Sequence, residues 1–451
     1  MTRRGFYILH DGLFPCPRLP DAGGLSVRRA ARTPKRHAAP GNANICGDIM
    51  QPVEIKNGIY WVGYVDYDHR DFHGYSRSPD GSTYNAYLIK DEKNVLVDTV
   101  YAGCEGTLLC RMGKVLEPEK IDYIICNHME LDHAGALKTL VERCKPEKIF
   151  VSQTGLKSMA GYFPDMKDWP VQAVKSGDSI SLGKRTVVFQ ETRMLHWPDS
   201  MVSYIPEEKL LISNDIFGQN IASSARFRDE FTDDGEYERR VKEYYYNIVL
   251  PYSPMVLKAL PVVEKLDIDM VAPDHGLIHR GKKAVADIIA RYRAMAEQKP
   301  QQRALIVYDT MWHSTEAMAY AVCSGLEESG VPARLMSVKS NHHSAVMTEL
   351  ADCGAVLVGS PTHNNTILPL MASQLTYMKG LRPLNRVGGA FGSYGWSGEA
   401  PKQLQEWLAS MNMELPAEPV KCNWRPDHDA LKASRGLGAA VAEALKKKCQ
   451  G

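Results

Sequence analysis

"NHMELDHAGAL", residues 127–137, sets His128, Glu130, Asp132 and His133 within six consecutive positions of an otherwise apolar stretch. A charge cluster of this kind is ordinarily a solvated patch. Its flanks argue otherwise: "YIIC" (123–126) reads as a buried strand, and "AGALKTLVERC" (134–144) reads as a helix. The cluster therefore occupies a strand-to-helix turn, where side chains can converge on a site.

If that turn holds a metal, further ligands should close other strands. Three places supply them: His196 in "TRMLHWPDS", Asp215 in "LISNDIFG" and His275 in "VAPDHGLI", each following an apolar β-rich segment. One histidine at a strand end is ordinarily just a satisfied polar residue. Four such strand ends together indicate a site. The seven candidates exceed the four ligands of a tetrahedral zinc and suit two metals bridged by a carboxylate.

Around these ends, residues 50–299 alternate short β-rich segments with helices. Among the strands are "GIYWVGYV", "STYNAYLIK", "NVLVDTV", "KIFVSQ", "TVVFQET", "KLLISND" and "DMVAPDH". Tight connections favour packed, mostly antiparallel sheets with helices outside, an αββα sandwich. "EQKPQQR" (297–303), polar and proline-bearing, marks a boundary. Beyond it, residues 300–451 alternate strand and helix strictly: "ALIVYD", then "STEAMAYAVCSGLEESG" with Met318, Val322 and Leu326 on one face, then "AVLVGSP" and "RVGGAFGSYG". That pattern predicts a doubly wound parallel sheet, hence an α/β and α+β two-domain chain.

Three loops of the second half follow strands and carry ligand-binding chemistry. In "YDTMWHST" the hydroxyls of Thr310, Ser314 and Thr315, with Met311, Trp312 and His313 between them, open a helix whose backbone N–H groups could cradle a phosphate. Ser and Thr are also ordinary helix caps. In "SPTHNN" (Ser360, Pro361, Thr362, His363, Asn364, Asn365) and "SYGWSG" (Ser393, Tyr394, Gly395, Trp396, Ser397, Gly398), small residues let the backbone approach a ring, and Tyr394 and Trp396 offer faces to stack on it. No G-x-G-x-x-G follows a strand, which disfavours a nicotinamide cofactor.

The 451 residues carry 54 basic and 53 acidic side chains, so charge gives no reason to expect a nucleic-acid partner. No apolar run approaches the roughly 20 residues that span a bilayer, and no membrane role is expected. Ten cysteines without any CxxC pair point to a reducing compartment, the cytoplasm, and exclude a fused rubredoxin-type or zinc-ribbon site. Residues 1–49, with eight Lys/Arg, three Asp and no Glu, read as a disordered extension. "TRRGFYIL" resembles a twin-arginine signal, but His10, Asp11 and Gly12 interrupt the apolar segment an export signal needs. "MQPVEIKNGIYWVGYV" from Met50 reads as an alternative start.

With both halves in view, the spacing resembles the metallo-β-lactamase fold, whose hydrolases carry H-x-H-x-D-H; here Glu130 replaces the second histidine. A carboxylate adds negative charge and a harder oxygen, favouring iron over zinc. The H-x-E-x-D-H pattern, with "TRMLHWPDS", "LISNDIFGQN", "APDHG", "YDTMWHST", "GSPTHNN" and "GSYGWSG", resembles the flavodiiron proteins from about Met50 to the C-terminus.

The resemblance implies FMN in the second half and two non-haem irons in the first. His128, Glu130 and His196 would hold one iron, Asp132, His133 and His275 the other, and Asp215 would bridge them; in some members the residue matching His133 turns away. It further implies reduction of O2 to water with electrons from reduced rubredoxin, in a head-to-tail homodimer or a dimer of dimers. Reduction of two NO to N2O at the same site is the nearest alternative. A zinc hydrolase with an appended flavodoxin module and an electron carrier with an inactive first domain are more distant ones. His73 in "DFHGY" and Tyr244, Tyr245 and Tyr246 in "EYYYN" are further candidates near the irons, as proton donors or simply as packing.

Overall fold

The computed structural model describes residues 50–450; the expectations for residues 1–49 lie outside the described residues. In the first half, a seven-stranded sheet runs in the order Val53–Lys56, Ile59–Trp61, Tyr87–Ile89, Val95–Val97, Tyr123–Cys126, Lys148–Ser152, Val171–Val174. A six-stranded sheet runs Ser179–Ser181, Thr186–Glu191, Met201–Ile205, Leu210–Asn214, Met270–Pro273, His279–Arg280.

Period-2 alternation explains how the sheets face each other. In Tyr87–Ile89, Tyr87 and Ile89 point into the core between the sheets, where they join Val97, Phe150, Phe189 and Ile212. Leu88 points outward onto Leu108, Leu137 and Leu140 of the helices Glu105–Gly113 and Leu137–Cys144. The outer face of the second sheet, with Val202, Leu211 and Val271, is covered by Val256, Leu260, Ile288 and Tyr292 of Ser253–Val263 and Lys282–Glu297. This is the expected αββα sandwich.

One departure is that the strands from Val95–Val97 to Val171–Val174 are all parallel. Each connection there carries a helix, which lets the chain cross back over the sheet. The strand Met201–Ile205 stood out in no sequence reading: all five of its residues are buried, so no polar alternation marks it.

In the second half, five parallel strands lie in the order Ala333–Ser337, Ala304–Tyr308, Ala355–Gly359, Val387–Tyr394, Val420–Asn423. In chain order this is 2-1-3-4-5, the flavodoxin-like arrangement, with its switch point beside Ala304–Tyr308. Met318, Val322 and Leu326 of Ser314–Glu328 are buried against the sheet, as their spacing predicts. On the other face, His343–Leu350 and Pro369–Leu381 share one apolar cluster with Tyr246, Ile248 and Val249 of the first half.

The polar junction between the halves is anchored. Gln298 is 2% exposed, its side-chain oxygen accepts from Leu384 N at 2.8 Å and its carbonyl from the Arg386 guanidinium at 3.1 Å. Among the described residues no helix is long and apolar enough to cross a membrane.

Candidate metal centre and flavin cavity

The turn after Tyr123–Cys126 is pinned before it delivers any ligand. Asn127 donates through its backbone and its side-chain amide to the buried Asp98, both at 2.7 Å. Thr99 N donates to the His133 carbonyl at 3.0 Å, and His133 N to that of Glu130 at 3.0 Å. His196, Asp215 and His275 arrive from the ends of Thr186–Glu191, Leu210–Asn214 and Met270–Pro273.

The seven side chains form two groups. His128, Glu130, His196 and Asp215 can each place one ligand atom within 4.8 Å of all the others, as can Asp132, His133 and His275 among themselves. In the first group, His128 Nε2 and His196 Nε2 lie 3.3 and 3.2 Å from Glu130 Oε2, and 3.5 and 3.4 Å from Asp215 Oδ2. In the second, His275 Nε2 is 3.1 Å from Asp132 Oδ2 and 3.4 Å from Asp215 Oδ1, and His133 Nε2 is 3.1 Å from Asp215 Oδ1. The two oxygens of Asp215 thus face one group each. His133 turns inward in this chain.

The donor set fits two cations. Both carboxylate oxygens of Asp132, Oδ2 of Asp215 and both ring nitrogens of His133 are buried without a hydrogen-bond partner. Three buried carboxylate oxygens left so would be costly unless positive charge is brought to them. Without metal the histidines supply it. Burial opposes charging of His133, yet Asp132 and Asp215 raise it to about 9, and burial is likewise outweighed at Asp215, held well below the usual carboxylate range by His133, His196 and His275.

Outer hydrogen bonds fix two of the rings, as metal-ligating histidines require, and a carboxylate stands near a third. His128 Nδ1 lies 3.1 Å from Asp199 Oδ2, which also accepts from Met129 N at 2.8 Å. His275 Nδ1 lies 2.6 Å from the Thr83 carbonyl, and His133 Nδ1 lies 3.3 Å from Asp274 Oδ2. Asp98, Asp199 and Asp274 escaped the sequence reading. The signal was present in part: Asp274 immediately precedes His275, Asp199 follows His196 by three residues, and Asp98 closes the neighbouring strand Val95–Val97.

His73 Nε2 lies 3.0 Å from Glu130 Oε1, and the Tyr244 hydroxyl donates to Asp215 Oδ1 at 2.9 Å. The other two tyrosines face away: the Tyr245 hydroxyl pairs with Ser253 Oγ at 3.0 Å, and that of Tyr246 donates to the Ala351 carbonyl at 3.4 Å.

At the carboxyl ends of the parallel strands lies a cavity of about 880 Å³. Thr310, Met311, Trp312, His313, Ser314, Pro361, Thr362, His363, Asn364, Ser393, Tyr394, Gly395 and Trp396 line it. Five predicted residues are off its wall. Thr315 is buried against Ser393 Oγ at 2.9 Å, and Ser360 Oγ accepts from Leu368 N at 3.0 Å and donates to the Pro361 carbonyl at 2.9 Å. The Asn365 carbonyl accepts from Gln403 at 3.1 Å, and Ser397 and Gly398 lie beyond the lining.

A fourth loop, missed in the sequence, completes the wall with Trp424, Arg425 and Pro426 after Val420–Asn423, the last strand of the sheet. The segment lacks the small residues that flagged the other loops. Lys339 was missed as well; its ammonium donates to the Thr310 carbonyl.

The cavity fits a phosphorylated planar ring. Thr310 Oγ1 is buried without a partner beside the N-terminus of Ser314–Glu328, where an anion is favoured. Trp396 and Trp424, both exposed with centroids 6.3 Å apart, offer flat faces at the other end.

Comparison with known proteins agrees with both halves. Residues 83–276 match the family described as ODP family beta lactamase, and residues 306–437 match Flavodoxin. The chain is 52% identical to the rubredoxin-oxygen oxidoreductase of Megalodesulfovibrio gigas, over 88% of this chain and 99% of that one. It is 44% identical to a nitric oxide reductase of Moorella thermoacetica, over 87% and 99%. Among solved structures, rubredoxin oxygen:oxidoreductase from Desulfovibrio gigas superposes with a TM-score of 0.88, covering 89% of this chain and 100% of that one at 52% identity. The flavodiiron protein of Giardia intestinalis does so with 0.85, covering 89% and 98% at 32% identity. With both halves in the same order and nearly the whole of each relative spanned, the chain belongs to the flavodiiron protein family.

Proposed function

We propose that this chain reduces O2 to water with electrons from reduced rubredoxin, using FMN and a di-iron centre, and that it couples two NO to N2O as a second reaction of the same site. The observation that carries the reading is Glu130 standing in one cluster with four histidines, Asp132 and Asp215, in a chain that also forms the flavin cavity. Glutamate in place of a second histidine disfavours a zinc hydrolase. When bound, two irons and one flavin together hold the four electrons that convert O2 to water.

His128, Glu130 and His196 would hold one ion, Asp132, His133 and His275 the other, with Asp215 shared. Glu130 and Asp215 each keep a proton-bearing neighbour, His73 and Tyr244, at 3.0 and 2.9 Å. These two groups can deliver protons at the pocket wall. Thr310 and Ser314 would hold the phosphate, and Trp396 and Trp424 the ring. In this reading residues 50–299 form the metal half and 300–451 the flavin half.

We read the active assembly as a head-to-tail homodimer. The contacts between the halves run through His343–Leu350 and Pro369–Leu381, which leaves Trp312, Trp396 and Trp424 exposed to meet another subunit's metal pocket. Free buried thiols such as Cys126 and Cys353 are in keeping with the cytoplasm.

One preparation tests the reading: iron, zinc and FMN content after anaerobic purification, then O2 and NO consumption with reduced rubredoxin. Two irons, one FMN and rapid consumption are expected. Two zinc and no gas reduction would overturn it.

A further inference from the structure

A stack of tyrosines stands against the metal pocket without supplying a ligand to it. The Tyr84 ring lies edge-on to His275, centroids 6.1 Å apart at 73°. Tyr101 stacks on Tyr84 at 5.9 Å and 26°. Tyr84 is 2% exposed and Tyr101 40%, so the two rings span the distance from ligand to solvent.

Backbone pairing holds Tyr84 in place: it sits opposite Tyr64 in a two-stranded ladder, and Asn85 N next to it donates to the Asp274 carbonyl at 2.7 Å. Aromatic packing alone would account for the stack. It does not account for the polar end. The Tyr84 hydroxyl lies 3.4 Å from His69 Nδ1, and His69 Nε2 is buried without a partner. A phenol beside an imidazole can lose an electron and hand over its proton together, which avoids forming a buried charged radical.

The neighbouring tyrosine offers no such exit. Tyr244 also contacts His275, at 5.9 Å, but it is buried and no ring contact among the described residues joins it to an exposed aromatic.

We propose that Tyr84 and Tyr101 form a route that carries oxidising equivalents from the His275 side of the metal site to the surface. This rests on the O2-reducing reading above. Two ferrous irons, when bound, would supply two of the four electrons that O2 requires, so a delay in flavin delivery would leave half-reduced oxygen, two electrons short of water, as an oxidant beside His275. Tyr84 gives that oxidant one electron and its phenolic proton passes to His69, leaving a neutral tyrosyl radical. Tyr101 then gives Tyr84 one electron and releases its own proton to solvent, while His69 returns the first proton to Tyr84. A small thiol or another one-electron reductant in solution restores Tyr101, with a proton from water.

The test uses holoenzyme of measured iron and FMN content, reduced with two electrons per chain, pulsed with O2 and freeze-quenched. The expected result is a tyrosyl signal by electron paramagnetic resonance and, after repeated pulses, oxidation products at Tyr101 by peptide mass spectrometry. Tyr84→Phe keeps the ring and removes the hydroxyl; the Tyr101 products should fall to background while oxidation of the His275 peptide rises. Should Tyr84→Phe lose its iron, Tyr101→Phe at the surface serves instead: the signal should persist, confined to Tyr84, and decay more slowly with added thiol.

O2 consumption with excess reduced rubredoxin is measured on the same samples. Normal consumption without a tyrosyl signal, or Tyr101 oxidation undiminished in Tyr84→Phe, would overturn the route alone. No consumption by protein holding two irons would overturn the proposed function and the route with it.

Discussion

The metal pocket and the flavin cavity are built on opposite plans. In the metal pocket, six of the seven side chains are buried, and two of the four rings have an outer hydrogen-bond partner on Nδ1. In the flavin cavity, Trp312 and Trp396 are more than 80% exposed and most of the wall is made of loops. Charge accounts for the difference. Three carboxylates brought close together in a dry interior repel one another unless strands and fixed counter-charges hold them. A flavin presents one phosphate, which a helix N-terminus can meet, and a ring that needs only flat apolar faces. The costlier ligand therefore gets the more rigid frame.

The strongest challenge to that contrast is Asp215→Ala, which removes the carboxylate facing both metal groups. Iron content and gas consumption should fall on the order of 100-fold or more, beyond the usual cost of losing an outer partner, while FMN content is unchanged. Retention of two irons would show that the pocket does not depend on a shared carboxylate. Asp199→Asn is the next step down, because it weakens the hold on His128 without removing a ligand. Metal affinity should drop about 10- to 100-fold, measured by competition with a chelator.

pH separates the halves in another way. His133 in the metal-free chain sits near 9 against an ordinary 6.5, so its contribution to stability is complete below about pH 6.5 and lost as pH rises toward 9. Metal binding needs neutral rings, so added metal should raise the melting temperature more at pH 9 than at pH 6.5. A gap that narrows with pH would mean that the carboxylates do not hold His133 protonated.

In the flavin cavity the effects should be smaller. Trp424→Ala should weaken FMN binding about three- to tenfold, since an aromatic pair contributes roughly 0.5–1.5 kcal/mol, and leave the iron content intact; fluorescence titration of FMN reads it directly. Smallest of all, Lys242→Ala removes the ion pair to Asp352 across the halves, 2.6 Å long but partly exposed. Chemical denaturation should report a loss of no more than about 1 kcal/mol, and a larger one would make that pair a principal tie between them.

Much of the metal pocket was legible because its ligands share a local rule: a polar residue closing an apolar strand. His128, His196, Asp215 and His275 each announce themselves this way. Asp274 obeys the same rule but stands beside His275, and Asp199 stands three residues past His196; nothing in one dimension tells a ligand from the group that braces it. The fourth flavin loop was illegible for a different reason. Trp424, Arg425 and Pro426 carry no signature of their own and matter only because the last strand lies at the end of the sheet order. Tyr244, Tyr245 and Tyr246 are equivalent on paper. Successive side chains of a helix point in different directions, so the hydroxyl of one meets Asp215 while those of the next two turn to Ser253 and to the Ala351 carbonyl.

By itself, the sequence determined the two-part architecture, the chemical character of each site and the choice of carboxylate at position 130, because periodicity and residue chemistry are local properties. The tertiary structure decided which Asp215 oxygen faces which group, that His133 turns inward, that His73 and Tyr244 reach the pocket, and that Tyr84 and Tyr101 stack between His275 and the surface. These are relations between residues far apart in the chain, and only the packing of one sheet against another sets their distances.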